Sequence, residues 1–352
     1  MFDKTLAGAI RACLDSHTPF AVILPPGVDG DTIFMCDNGD SDIALRSNRR
    51  FFAVDFARPY AEADIVCDRL TVEQAIGLKP VEKVESTISY TTTSREEYLD
   101  AIARIVARLR ADGGKTVIAR TISSEARVDV VSAAECYFAA NPTSFRCLCY
   151  TPANGCWLIA TPELLLRVDK NDLRYTTYSL AGTRPHTDDS EGAAWDVKNI
   201  EEQAIVSRYI DNVLSSYGCA PDAIDKYTKV ANRVEHLCTV FSGRVNGIDD
   251  YAELVNLLSP TPALAGYPRE TALNEIAATE SVPRGLYGGY VGIDSPQDIQ
   301  AWVTIRCCKL DAEGYTIYTG SGITPESTPE DEWQETTLKA SALKSILEQN
   351  SL

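Results

Sequence analysis

Apolar residues at Leu6, Ile10, Cys13 and Leu14 recur at helical spacing, so residues 1–16 are predicted to form an amphipathic helix. Short β-like runs follow at 20–24, 31–35 and 51–55. The stretch 57–93 interrupts this pattern with Pro59, Pro80 and a polar end, STISYTTTS. It marks a soft subdivision, with 1–93 as the N-terminal part of one folded unit and 94–352 as its core. Ser94 opens S-R-E-E, in which the serine and Glu97 are placed to cap each other's backbone N–H groups. Leu99, Ile102, Ile105, Val106 and Leu109 carry the helix that follows, and Gly113-Gly114 ends it. Residues 116–120, TVIAR, read as a buried strand, and further β-like runs lie at 145–150, 156–160, 164–168, 173–179, 287–293, 300–309 and 314–319. Helical patterns cover about 193–216, 249–258, 268–279 and 330–348. The strands come in runs instead of alternating one for one with helices. That predicts an α+β architecture built on large antiparallel sheets, not a doubly wound parallel sheet.

Composition narrows the function. The 352 residues are 45% hydrophobic, enough for a full core. The net charge is −17 and the isoelectric point about 4.7. No block of Lys and Arg breaks this acidity, which argues against nucleic acid and anionic membranes as partners. An acidic protein can still hold an acidic ligand where arginine, backbone N–H groups or a metal reverse the field locally. The 11 cysteines contain no C-x-x-C spacing and there are only three histidines, so reduced thiols of a cytoplasmic protein are expected and a structural metal cluster is not. Asp3, Arg11 and Asp15 interrupt the N-terminal segment, which does not read as a signal peptide. No apolar run approaches the roughly 18 residues a membrane span needs.

Six short motifs carry candidate chemistry. Lys115 opens KTVIAR after two glycines. Glu163 sits in TPELLLRV, where apolar neighbours would resist its ionisation if it is buried. SLAGTRP at 179–185 holds Gly182 and Thr183, and KNIEEQ at 198–203 holds Glu202. SPTPALAGYPRE at 259–270 fixes the backbone around Thr261 and Ala263 with prolines. The last block runs from VTIRCCKL, with Arg306 sharing a strand face with Thr304, through a Gly320-Ser321-Gly322 turn, to EWQET, where Glu332 and Glu335 share one face of a helix start. An arginine can grip a carboxylate through two parallel hydrogen bonds, and glycines let backbone N–H groups approach a second anionic oxygen. Each motif alone has a plainer reading: a lysine or glutamate at a strand end, an exposed acidic helix face, a proline-rich loop, a solvent-facing strand arginine, a hairpin turn.

Together and in this order, the motifs resemble the chorismate-utilising enzymes and, within them, the isochorismate synthases. The resemblance covers about residues 94–348. It implies two facing antiparallel sheets with helices packed outside and the site between them. It also implies a Mg²⁺-dependent conversion of chorismate to isochorismate by addition of water at C2 with loss of the C4 hydroxyl. In that scheme Lys115 is the base that activates water and Glu163 the acid that protonates the leaving hydroxyl. Glu202 and Glu335 bind Mg²⁺, and Glu332 supports the metal or its waters. Arg306 and the Gly320–Gly322 backbone hold the enolpyruvyl carboxylate, while Gly182, Thr183, Thr261 and Ala263 line the substrate pocket. Three positions depart from the family pattern: Ser259 and Gln203 stand where many relatives have histidine, and Asn199 where many have an acid. Ammonia-using relatives lack the lysine at Lys115, so water is the implied nucleophile. The implied partner is chorismate alone, in a monomer without a glutamine amidotransferase subunit. Other readings stay open: a salicylate synthase, which goes on to eliminate pyruvate, an anthranilate synthase component, or a chorismate-binding regulator. The resemblance extends equally to enzymes of menaquinone and of siderophore synthesis.

Overall fold

The computed structural model describes residues 2–27, 31–81, 90–187, 192–231 and 234–352. Within the polar stretch, residues 82–89 lie outside the described residues. Two eight-stranded sheets form the body, and every strand pairing within them is antiparallel. In spatial order the first sheet contains Gly266–Tyr267, Lys115–Ser124, Tyr315–Ile323, Cys307–Leu310, Gly155–Thr161, Phe145–Thr151, Phe20–Leu24 and Ile33–Cys36. The second contains Ala223–Ala231, Val234–Arg244, Arg174–Pro185, Leu164–Asp169, Asp298–Val303, Tyr290–Asp294, Arg50–Val54 and Asp64–Cys67. Strands from the first 93 residues thus close one end of both sheets.

Alternate side chains of each strand enter different cores. In the strand Phe20–Leu24, Ala21 and Ile23 point between the sheets, where they join Trp157, Ile159, Phe51, Val291 and Trp302. Phe20 and Val22 point outward and pack under Ile10 and Cys13 of the first helix, Phe138 of the helix Val130–Ala140 and Leu347 of the helix Pro329–Gln349. With both faces covered, such strands read as continuous apolar runs. Phe145 and Trp302 stack across the gap with ring centroids 5.2 Å apart, tying one sheet to the other. The second sheet is covered by the helices Val197–Ser216 and Asp250–Leu258, through Val206, Ile210, Leu214 and Leu254. The helix Arg95–Asp112 starts where expected: Ser94 accepts from Glu97 N and Glu97 from Ser94 N, a reciprocal cap. Among the described residues no helix is long and apolar enough to cross a membrane.

Two expectations require correction. Residues 300–309 form no single strand: Asp298–Val303 lies in the second sheet and Cys307–Leu310 in the first, so the chain crosses between sheets at 304–306. Arg306 and Thr304 therefore do not share a strand face. Residues 320–322 are no turn either, but the end of the strand Tyr315–Ile323, paired with residues 117–119.

Candidate active site

The site is assembled where the chain crosses from one sheet to the other. One crossing is at 304–306. The second lies between Gly155–Thr161 in the first sheet and Leu164–Asp169 in the second, and Glu163 sits in it. The crossings are hydrogen-bonded to each other's flanks: Val303 N donates to Glu163 O at 3.0 Å, and Ala160 N donates to Arg306 O at 3.2 Å. Arg306 takes a left-handed φ of 51°, an uncommon conformation for a residue with a side chain. Its carbonyl is also held by Tyr137 Oη at 2.8 Å.

The Arg306 guanidinium is half-buried and, among the described residues, contacts no carboxylate directly. Nη1 donates to Lys339 O and Nη2 to His236 Nε2, both at 3.2 Å. Burial depresses its pKa below the ordinary arginine range. Because arginine only donates, Nε2 of His236 is the acceptor and Nδ1 carries the hydrogen. Nδ1 lies 3.1 Å from Gly182 O and 3.1 Å from Thr183 Oγ1. Burial, reinforced by the charge of Arg306, keeps the imidazole neutral, with a pKa well below its usual value. A cation hydrogen-bonded only to neutral acceptors is prepared for an anion.

Glu163 has the opposite character. It is 2% exposed, and Oε1 has no hydrogen-bond partner. Burial raises its pKa from 4.5 to about 8, although Lys115, Lys229 and Lys339 pull it down. It is therefore mostly protonated at neutral pH and has an unengaged oxygen.

Three more carboxylates each meet a lysine. Lys115 Nζ lies 2.8 Å from Glu202 Oε1, Lys198 Nζ 2.7 Å from Glu332 Oε1, and Lys339 Nζ 2.5 Å from Glu335 Oε1. Lys339 also donates to Gly320 O at 3.1 Å. Burial opposes the charge of Glu202, but the charge and hydrogen bond of Lys115 outweigh it and hold the pKa low. Glu332 is raised by burial and then by its neighbour Glu335, and its Oε2 is buried without a partner. Burial also works against the Lys198 ammonium, yet the charges of Glu332, Glu335 and Glu202 hold its pKa above the lysine range. These oxygen-only donors suit a hard divalent cation, as does the unpartnered oxygen of Glu332. Among the described residues, however, no three such side chains stand close enough to enclose an ion. A lysine is the counter-ion of each.

Most of the anticipated residues converge. Glu163, Thr183, Glu202, Ala263, Arg306 and Gly320 through Gly322 line one cavity between the sheets. Lys115, 1% exposed, reaches it through Glu202, and Glu335 through Lys339. Gly322 is needed for this approach: a Cβ there would sit 2.7 Å from Lys115 Cε and collide with the Glu202 carboxylate. A Cβ on Gly320 would sit 2.7 Å from Tyr287 Oη. Beyond Tyr318 the strand has no partner among the described residues on the side where Cys307–Leu310 pairs, and residues 319–322 line the cavity. Gly182 and Thr261 are not on the wall. Gly182, at φ 70°, supplies the carbonyl to His236, and Thr261 shapes its loop by accepting from Ala263 N at 3.2 Å. Glu332 is also set back, behind Lys198. His236 and Lys339 were not anticipated, though both line the cavity. His236 is one of only three histidines, in an alternating run, VEHLCTV.

The departures from the family pattern are structural in this chain. Gln203 Nε2 donates to Ser179 O at 3.0 Å and Thr239 Oγ1 at 3.1 Å, away from the cavity. Asn199 Oδ1 accepts from Thr183 N at 2.8 Å and so fixes the wall. Ser259 is buried, and its carbonyl accepts from Arg269.

The chain belongs to the chorismate-binding enzyme family, whose model matches residues 56–348. It is 32% identical over 267 residues to isochorismate synthase EntC of Escherichia coli (strain K12), covering 72% of this chain and 67% of that one. It is 28% identical over 306 residues to isochorismate synthase MenF of the same strain, covering 82% and 70%. The structure of MenF, the menaquinone-specific isochorismate synthase from Escherichia coli, shares the fold with a TM-score of 0.74, at 22% identity over 98% of this chain and 91% of that one. Anthranilate synthase component I from Streptococcus pneumoniae TIGR4 also has this fold, with a TM-score of 0.66 at 16% identity over 92% and 89%.

Proposed function

We propose that this chain is an isochorismate synthase, an isomerase that adds water at C2 of chorismate and expels the C4 hydroxyl. The observation that carries the reading is a buried Glu163 with an unengaged oxygen, its pKa raised by burial, lining the same cavity as Arg306 and as Glu202 with its partner Lys115. Glu163 donates its proton to the departing hydroxyl as the ring double bonds shift. Lys115 takes a proton from the attacking water, for which its amine must give up the contact with Glu202 and be neutral. Water lost at C4 balances water gained at C2, so the net reaction is an isomerisation. Arg306 and the unpaired edge of residues 320–322 receive the enolpyruvyl carboxylate, and Thr183 and Ala263 shape the wall beside it.

The family implies a metal-dependent enzyme. Mg²⁺ suits the oxygen donors Glu202 and Glu335, with Glu332 behind them, and when bound it would neutralise the ring carboxylate. Since water is the nucleophile, no glutamine amidotransferase subunit is required. Chromatography of products from chorismate and Mg²⁺ tests the proposal. Isochorismate is expected; salicylate with pyruvate, or anthranilate when ammonium is supplied, would replace this reading by one of the alternatives.

A further inference from the structure

A second cavity, of about 320 Å³, lies outside the proposed site along the edge of the strand Lys115–Ser124 beyond its short pairing with Gly266–Tyr267. Helix Arg95–Asp112 and residues 279–284 form its other walls. Arg120 lines it and is only 4% exposed. Its Nε donates to Thr336 Oγ1 at 2.8 Å and its Nη2 to Thr337 Oγ1 at 2.9 Å, and the guanidinium lies 3.9 Å over the Trp333 ring. Among the described residues Nη1 has no hydrogen-bond partner. Among the described residues no carboxylate contacts this arginine, and burial depresses its pKa.

Arg120 shares with Arg306 its bonding to neutral acceptors only, and is the more deeply buried of the two. The carboxylate in the cavity wall nearest the strand, Glu280, is already consumed. It binds Arg284 through Nε at 2.8 Å and Nη2 at 2.5 Å, and accepts from Ala119 N at 2.8 Å. Glu97 is engaged in capping Ser94, which leaves Asp100 as the acidic group opposing an anion, with Arg104 one helical turn away to offset it. Tyr98, Ile118 and Val282 give the remaining wall an apolar character. The volume is at the lower end of the range for small-molecule sites.

We propose that this cavity is a second ligand site, for a small organic carboxylate whose charged end meets Arg120 and whose body lies against Tyr98, Ile118 and Val282. It is separate from the chorismate cavity, although Tyr318 touches both. The site borders the strand that carries Lys115, and Arg120 is bonded to the helix that carries Glu335 and Lys339. Occupancy would therefore be felt by both.

Isothermal titration with benzoate tests the assignment. Three variants accompany the wild-type protein: Arg120→Gln, Ala101→Phe, which fills the cavity from the helix side, and Arg306→Ala, which removes the arginine of the other site. Saturable binding is expected in the wild type, weakened tenfold or more in Arg120→Gln and Ala101→Phe and unchanged in Arg306→Ala. Absence of saturable binding to the wild type overturns the proposal, as does wild-type affinity in Ala101→Phe, which is decisive if Arg120→Gln fails to fold. Loss of binding in Arg306→Ala alone would place benzoate in the chorismate cavity and equally refute the site.

Discussion

Replacing Glu163 by glutamine should weaken catalysis and strengthen the fold, and the second effect has a pH signature set by burial. The carboxyl is 2% exposed and its pKa is raised from 4.5 to about 8. A group whose folded pKa lies above its unfolded value binds more protons when folded, so its ionisation costs stability as pH rises through that window. Below about pH 4.5 both states hold the proton and nothing is lost. Between there and about pH 8 the loss grows by about 1.4 kcal/mol per pH step, reaching about 3 kcal/mol at pH 7, and then levels off. Glutamine does not titrate. The stability difference between Glu163→Gln and wild type should therefore move in favour of the variant by about 3 kcal/mol from pH 4.5 to pH 7, whatever fixed offset the buried amide adds. Urea unfolding followed by tryptophan fluorescence at several pH values measures this. Turnover of chorismate by the variant should fall by about 10²–10⁴-fold, the range for loss of a general acid, while chorismate binding survives. The wild-type rate should decline above about pH 8 as the acid ionises. A stability difference that stays flat across pH 4.5 to 8 would show that Glu163 is not buried as a neutral acid and would remove the argument for its role.

Arg306→Lys keeps a charge but cannot reproduce the fork to His236 and a carboxylate, so kcat/KM should drop by about 1.5–3 kcal/mol in transition-state binding; steady-state kinetics checks it, and an unchanged value places the residue outside the substrate contacts. Glu335→Gln should abolish most Mg²⁺-dependent activity with little change in Tm, and retention of wild-type Mg²⁺ dependence would exclude it as a ligand. Gly322→Ala forces a Cβ to within 2.7 Å of Lys115 Cε, and overpacking of this kind costs about 1–3 kcal/mol; a lowered denaturation midpoint together with lost turnover is expected. Lys115→Ala should end isochorismate formation while chorismate still binds by fluorescence titration, and full activity would take the lysine out of the mechanism.

Elements with both a start and a stop signal were legible in sequence. The helix Arg95–Asp112 has its capping pair and its glycines, and the buried strands around 116–120 and 145–168 read as apolar runs. The helix Val130–Ala140, VVSAAECYFAA, escaped because it is apolar nearly all round and shows no stripe. The strands Ala223–Ala231 and Val234–Arg244 escaped because one is a charged edge and the other buries the polar Glu235 and His236, one on each face. Residues 300–309 passed for a single strand since alternation continues through 304–306, and nothing local distinguishes a strand that changes sheets. Gly320 and Gly322 looked like turn residues, whereas their missing side chains make room for Tyr287 and for the Lys115–Glu202 pair. That Lys115, Glu163, Glu202 and Arg306 meet at or beside one cavity was implied by their motifs. The contributions of His236, Lys198 and Lys339 were not, because they depend on which strands and helices meet in space.

The paired sheet crossings have a mechanical consequence. Glu163 and Arg306 stand on the two short bridges that span the gap, and each bridge is pinned to the flank of the other. The proposed proton donor and the proposed substrate grip are thus held in place by the sandwich itself. Side chains that set its thickness far from the cavity, such as the stacked Phe145 and Trp302, act as spacers for the reaction. Thinning that stack would be felt in turnover before it was felt in solubility, and a defect that looks catalytic in an assay could originate in a residue that touches no substrate at all.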